Sequence, residues 1–343
     1  MAEPVGAPWP DGVSVIMPVL NEQRHLSHAV TGILTQDWSG PLEIVLALGP
    51  STDRTDEVAR RLSAIDERIV LVPNPSGRTP SGLNAAIEAS RYEVVIRVDG
   101  HAILPEDYVS TAVETLARTG ADNVGGIMLA EGETPFEQAV ARAMTSPMGV
   151  GAAPFHVGGG EGEAETVYLG CFRKSALTSV GGYDETFLRA QDWEMNHRIR
   201  AAGGRVWFNP HLVVSYRPRP DATSLGTQYF HYGRWRREVM RRHPETASRA
   251  SALRYFAPPT AVVGVLAGAA AGLVGSTVGP RALRIGWLAP LGYLALITAG
   301  AAVIGRGLPP AAHARLPLVY ASMHGAWGVG FLTSPPGLRE PEA

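Results

Sequence analysis

Through the first hundred residues, apolar positions come in short runs that stop at polar turns; after residue 256 they come in far longer uncharged runs. Val13-Ser-Val-Ile-Met-Pro-Val-Leu20 has the length and flanks of a buried strand. His25 to Gln36 reads as a helix, Leu42 to Leu48 as a second strand, and Thr55 to Ile65 as a helix with its charges outward. Ile69 to Val72 is a third strand, Ser81 to Ala89 a helix, and Glu93 to Val98 a fourth strand that runs straight into Asp99. Alternation of this kind predicts a mostly parallel α/β sheet with helices on both faces, and ligands beyond the carboxyl ends of its strands. The polar positions of interest fall at those ends: Asn21 and Glu22, Ser51 to Asp53, Asn74 to Arg78, and Asp99 to His101.

The long runs carry a different message. Ala257 to Val278 holds no charged residue, and as a helix it would span about 33 Å, enough for a bilayer core. Ile285 to Gly305 is a second such run, bounded by Arg284 and Arg306. Two in succession, rich in Gly and Ala, predict membrane spans rather than a buried hairpin. Leu316 to Thr333 is shorter and contains His324; it reads either as a third span or as an interfacial helix. Pro154 to Glu165 is Gly-rich and acidic, and reads as a linker or as a mobile lid.

Charge and cysteine content narrow the function. A formal net charge of −2 over 343 residues argues against nucleic acid as the partner. The single cysteine, Cys171, excludes an internal disulfide and a cysteine-cluster metal site, as suits a reducing compartment. Met1 to Asp11 lacks the basic start and apolar run of a secretory signal, so the N-terminus is expected in the cytoplasm.

Three clusters carry candidate chemistry. Asp99-Gly100-His101 ends a strand, and its Asp and His can share a divalent cation that neutralises a departing diphosphate; equally, they can cap the next helix. Gln191-Asp192-Trp193-Glu194 opens a helical pattern, where the helix dipole keeps a carboxylate ionised and fit to act as a base; a simple capping role fits the spacing as well. His231-Tyr-Gly-Arg234-Trp235 is followed by Arg236, Arg237, Arg241 and Arg242. Arginine beside aromatics grips phosphate oxygens, and a basic run just before a span also suits an anionic membrane surface.

Taken together, residues 12 to 333 resemble family 2 glycosyltransferases of the GT-A fold, in particular bacterial exopolysaccharide glucosyltransferases of the succinoglycan-biosynthesis type. The resemblance rests on Val13-Ser-Val-Ile-Met-Pro-Val-Leu-Asn-Glu22 for the opening strand and Gly49-Pro-Ser-Thr-Asp-Arg-Thr55 for the D-G-S-T-D-G-T turn. Asn74-Pro-Ser-Gly-Arg78 with Leu83-Asn84, Asp99-Gly-His101 for the D-x-D metal motif, and Gln191-Asp-Trp-Glu194 for the E-D-x-E base motif complete it. No one motif is specific; their order and spacing are.

The resemblance implies an inverting transfer of a sugar from a nucleotide-sugar donor, with Asp192 as base and a divalent metal, Mn2+ or Mg2+, at Asp99 and His101. It implies that Pro18, Asn21, Glu22, Asp53, Arg78, Asn84 and Asp99 line the nucleotide-sugar pocket. His231, Arg234 and Trp235 would stand where the family's Q-x-x-R-W motif meets the diphosphate and acceptor. There are departures. Leu48-Gly49 replaces the acid pair that often binds the nucleobase, leaving base recognition to backbone groups or Asp53. His101 replaces the second Asp of the metal motif, which favours manganese. Gln191 replaces Glu, and His231 replaces Gln, which weighs against long processive synthesis.

The expected organisation is a GT-A domain over residues 1–215, a basic amphipathic connector over 216–256, and a membrane domain of two or three helices over 257–334. The expected reaction moves a hexose such as glucose, from a UDP-sugar, to a lipid-linked saccharide in cell-surface polysaccharide or glycolipid synthesis. Two alternatives stand beside it: a polyprenyl-phosphate sugar synthase, and a non-catalytic membrane scaffold with a degenerate transferase domain. The arginines from Arg234 to Arg254 place the catalytic domain on the cytoplasmic side of the cell membrane, with a multi-pass anchor and membrane lipids as neighbours.

Overall fold

Among the described residues, eight strands form one sheet in the order β3-β2-β1-β4-β7-β5-β8-β6. They are β1 (Val13–Val19), β2 (Leu42–Leu48), β3 (Ile69–Pro73), β4 (Val94–Arg97), β5 (Asn123–Ala130), β6 (Gly162–Glu163), β7 (Tyr168–Arg173) and β8 (Val206–Tyr216). The computed structural model describes residues 11–151, 153–246 and 249–338. By internal contacts the chain forms two units: Met1–Leu129 with Gly158–Tyr216, and Ala130–Val157 with Arg217–Ala343.

The first unit holds the sheet. β3, β2, β1 and β4 run parallel, as the strand–helix alternation predicts. The remainder corrects the expectation of a mostly parallel sheet: β7 is antiparallel to both β4 and β5, and β6 is antiparallel to β8. Residues 12–17 of β1 and its approach are buried, because helices cover both faces of a parallel strand. Leu26–Leu34 and Tyr108–Thr119 bring Val30, Ile33, Val109, Val113 and Leu116 onto Val13, Val15 and Met17. The polar positions inside this apolar layer are paired. Ser14 Oγ donates to Glu43 Oε1 at 2.7 Å across the β1–β2 register, satisfying both groups where water is absent.

The Gly-rich segment after Pro154 is held in place within this unit. Glu161 accepts from Arg118 Nη2 at 2.5 Å and from Trp207 Nε1 at 2.8 Å, and Gly162–Glu163 pairs with β8. Glu161 to Glu163 are thereby anchored to β8 and to Arg118.

The second unit is helical. Helix Ala222–Arg242 packs on helix Leu316–Thr333. Gly233 and Gly330 face the opposite helix's backbone at Trp327 and Phe230, an approach open only to positions without a side chain. Leu316, Val319, Tyr320, Met323 and Phe331 are all buried, so the third apolar run is a packed helix of this unit rather than a further long apolar span. Among the described residues two helices are long and apolar enough to cross a membrane, Arg254–Thr277 and Arg281–Ile304, with mean hydropathy 1.7 and 1.8. Their apolar side chains point outward: Val263, Leu266, Leu291 and Leu296 are all exposed.

Several arginines of the basic helix contact protein groups. Arg236 lies over the Tyr255 ring at 4.5 Å and Arg237 over Phe331 at 4.9 Å. Arg241 donates to the Ser334 and Pro335 carbonyls, both at 2.7 Å, and Arg242 pairs with the buried Glu238 at 3.0 Å. Trp235 is 1% exposed, so its ring packs in this unit's interior.

Candidate active site

The strand order sets the loops that follow β1, β2, β3 and β4 side by side at one sheet edge. The first two are laced together. Asn21 sits in the left-handed region at φ 56, a conformation Asn tolerates better than most residues. Its N–H donates to Ser51 Oγ at 3.1 Å, and its Oδ1 accepts from the Thr52 N–H at 2.8 Å. The Glu22 N–H donates to Thr55 Oγ1 at 2.8 Å and the Gln23 N–H to Asp53 Oδ2 at 3.2 Å. Asp53 Oδ1 accepts from the Thr55 N–H at 3.0 Å and from its hydroxyl, and that hydroxyl holds the carboxyl below its ordinary range.

The third loop is also self-supporting. Asn74 Nδ2 donates to the Arg78 carbonyl at 3.1 Å, and Arg78 precedes helix Thr79–Ala89. On that helix Asn84 Nδ2 donates to the Tyr183 carbonyl at 2.9 Å and to Glu185 Oε1 at 3.1 Å, while Oδ1 accepts from the Tyr183 N–H at 2.8 Å. Asn21, Asp53 and Asn84 thus each use polar atoms to hold the loops at this edge. Pro18, Glu22 and Arg78 stand at the same edge, each partly exposed.

The fourth loop carries Asp99 and His101. His101 Nδ1 bonds Glu22 Oε1 at 2.8 Å, the carboxylate–imidazole arrangement that orients a metal-binding ring. A Cβ on the intervening Gly100 would stand 2.9 Å from Glu22 Cγ, so the loop lies directly against that residue. Carboxylate oxygen with imidazole nitrogen is a donor chemistry that fits Mn2+. Asp99 and His101 thus offer donor chemistry that suits a divalent cation.

Arg97, the last residue of β4, is a site residue that the sequence reading passed over. It is 4% exposed and makes ion pairs in two directions. Its Nε and Nη2 donate to the same oxygen, Asp99 Oδ1, at 3.2 and 3.0 Å, and its Nη1 bonds Asp192 Oδ1. Burial alone would lower this guanidinium, but Asp192 and then Asp99 raise it well above its ordinary value. The available signal was a charge at the end of an otherwise apolar four-residue strand.

Asp192 reaches this cluster from helix Gln191–Ala201, whose first turn places its carboxylate at the positive end of the dipole. Ala190, just before it, is left-handed at φ 61, a conformation that costs a non-glycine residue roughly 1–2 kcal/mol. Burial pushes the Asp192 carboxyl up, and Arg97 pulls against that rise. The buried Tyr183 belongs to the same group; burial raises its hydroxyl and Asp192 raises it further. Glu194 acts elsewhere, pairing with Arg198 at 2.6 Å, and Arg198 Nη1 donates to the Val180 carbonyl at 2.6 Å. His231, Arg234 and Trp235 belong to the second unit, where Phe230 stacks edge-on with His231 at 5.8 Å and lies under Arg234 at 5.6 Å.

Residues 14–180 match the family model described as Glycosyl transferase family 2. The succinoglycan biosynthesis protein ExoA of Rhizobium meliloti is 31% identical over 327 residues, covering 92% of this chain and 93% of its own. The chain belongs to glycosyl transferase family 2. This transferase is also 24% identical, over 64% of its length and 71% of the relative's, to a Methanococcus voltae protein. That relative is named a dolichyl N-acetyl-alpha-D-glucosaminyl phosphate 3-beta-D-2,3-diacetamido-2,3-dideoxy-beta-D-glucuronosyltransferase. In fold it resembles the mannosyltransferase PcManGT of Pyrobaculum calidifontis, solved with GDP-Man and Mn2+, at a TM-score of 0.61 and 20% identity. The match covers 94% of this chain and 87% of the other. The sheet of this family 2 glycosyltransferase is thus of the GT-A type.

Proposed function

We propose that this glycosyltransferase moves a hexose from a nucleoside-diphosphate sugar to a lipid-linked saccharide, in the synthesis of a surface polysaccharide or glycolipid. The observation that carries the site assignment is the meeting of Asp99 and Asp192 on the single guanidinium of Arg97, at the carboxyl edge of the parallel strands.

Asp192 is the base in this reading. It takes the proton of the acceptor hydroxyl as that oxygen bonds the anomeric carbon, and the bond from that carbon to the diphosphate oxygen breaks on the opposite face. A divalent cation held by Asp99 and His101 would supply positive charge to the departing diphosphate. Glu22 orients the His101 ring, and Pro18 and Arg78 border the space beside β1 and β3 where the nucleotide fits. The lacing of Asn21, Asp53 and Thr55 gives the wall of that space a fixed shape.

The names of two relatives support the acceptor class: one is a succinoglycan biosynthesis protein, the other is named for transfer to a dolichyl-phosphate-linked sugar. Membrane association is supported by the outward apolar side chains of two helices that an aqueous surface would not tolerate. The arginines that precede Arg254–Thr277 favour the cytoplasm for the transferase unit. The test is a panel of UDP- and GDP-hexoses offered to the detergent-solubilised full chain with Mn2+ and lipid-linked saccharides. Elongated lipid-linked product supports the assignment. A sugar found only on polyprenyl phosphate itself, or no consumption of any donor, overturns it.

A further inference from the structure

Arg97 stands at the joint between the candidate cation site and the candidate base, and the chain offers it no solvent outlet. A buried arginine stays charged, and it must be answered by carboxylates. Here it is answered twice: Asp99 receives two bonds on one oxygen, and Asp192 receives the third. The carboxylates themselves are only part-buried, with side-chain exposures of 25% and 33%, so each keeps a face toward the open edge.

We propose that Arg97 is the positioning residue of this transferase: its forked guanidinium fixes the Asp99 and Asp192 carboxylates in one arrangement and sets the site's charge for the diphosphate. The inference rests on the proposed transferase site. One positive and two negative charges leave the trio with a single net negative charge. With a divalent cation on Asp99 the same trio carries one net positive charge, and a diphosphate is drawn to it. If Arg97 were neutral, the cation would only cancel the two carboxylates. Arg97 thus weakens cation binding, because like charges a few ångströms apart repel strongly in a partly desolvated site. In exchange it strengthens the hold on the diphosphate that follows. A lysine would supply the charge but not the fork, since its compact ammonium lacks the planar set of donors that reaches both carboxylates.

Two binding measurements on the detergent-solubilised full chain test this, neither of them a turnover assay. Mn2+ alone, titrated by the electron paramagnetic resonance of the free ion, should bind Arg97→Gln about tenfold more tightly than the native protein. UDP and GDP, each titrated calorimetrically at saturating Mn2+, should bind Arg97→Gln about tenfold more weakly. The opposed signs are the signature. Both affinities falling together, or neither moving, overturns the inference. Native protein that binds neither Mn2+ nor a nucleoside diphosphate overturns the transferase site itself, and the inference with it. Because Arg97→Gln leaves two carboxylates unanswered and can unfold, Arg97→Lys is measured beside it, with circular dichroism of both. Arg97→Lys should keep Mn2+ affinity within about twofold of native, yet lose about tenfold or more in kcat with little change in donor KM. Native kcat in Arg97→Lys removes the bridging role.

Discussion

Asn84 and Tyr183, 99 residues apart, are joined in both directions: the amide of Asn84 donates to the Tyr183 carbonyl and its oxygen accepts from the Tyr183 N–H. The pair pins the loop that leads to Asp192 onto the helix after β3. Tyr183 in turn places its hydroxyl beside Asp192 and Arg97.

Replacing Asn84 by Ala should lower thermal stability, since two backbone groups lose their partners at about 1–3 kcal/mol of desolvation cost each. Transfer should fall as well, because the approach to Asp192 loosens. Asn84→Asp should fare no better: a carboxylate cannot donate to the Tyr183 carbonyl, and it meets Glu185 as a like charge. Melting curves and initial rates of the three proteins check this. Native behaviour in Asn84→Asp would show that the amide's donation is idle.

Asp192→Asn should bind nucleoside diphosphate as the native protein does while transfer drops by about 10²–10⁴-fold. The pH profile carries a second expectation. A base works deprotonated, so transfer is lost as pH falls through the Asp192 value. Burial raises that value in the free enzyme, and the acid limb of kcat/KM should therefore lie above the ordinary aspartate region of about 3.9. An acid limb at or below that region would contradict the assignment.

Removing divalent ions with EDTA should abolish transfer, and Mn2+ should restore it at least as well as Mg2+. Asp99→Ala and His101→Ala should each weaken Mn2+ binding, and Glu22→Gln should do so more mildly by freeing the His101 ring. Calorimetric titration with Mn2+ ranks the three. Undiminished activity in metal-free buffer would remove the cation from the reaction.

A fourth expectation concerns stability in the helical unit. Thr134 and Glu137 form a capping box at the start of helix Pro135–Met144, with Glu137 Oε2 accepting from the Thr134 N–H at 2.9 Å. That bond, above all, holds the Glu137 carboxyl below its ordinary range. A lowered carboxyl contributes stability in full above its unfolded value of about 4.3, and that contribution is lost as pH falls through the folded value. Glu137→Gln should thus melt lower than native at neutral pH, by about 1 kcal/mol of stability, and the gap should close in acid. A gap that stays constant down to strongly acidic pH would rule out the ionised cap.

Much of the first unit was legible because its physics is local. Short apolar runs of β-branched residues ending in turn chemistry locate β1 to β4, and parallel order follows from the helices between them. The antiparallel half was less legible, since β7 joins β4 through residues some 75 positions apart and no local pattern encodes that pairing. Within the site, the motifs locate residues but not the bonds they make to one another. Asn84 and Asp53 have the polarity of ligand contacts, and only the folded loops show the hydrogen bonds that tie them to Tyr183 and Thr55. Arg97 was missed for the converse reason: a charge in a buried strand reads as an anomaly until the carboxylates that answer it are seen. The contacts of the arginines of Ala222–Arg242 were likewise hidden, since stacking on Tyr255 and Phe331 is decided by residues far along the chain.

Helix Ala222–Arg242 is made before the two long apolar helices, and its packing partner Leu316–Thr333 is made after them. The crossing at Gly233 and Gly330 therefore sets an order of events during biosynthesis. Until the last helix emerges, Trp235 and the small-residue face around Gly233 have nothing from that helix to cover them. Both apolar helices must be synthesised before that face can close. A ribosome that stops after Ile304 would release a chain with a finished sheet and an open seam, a natural target for quality control.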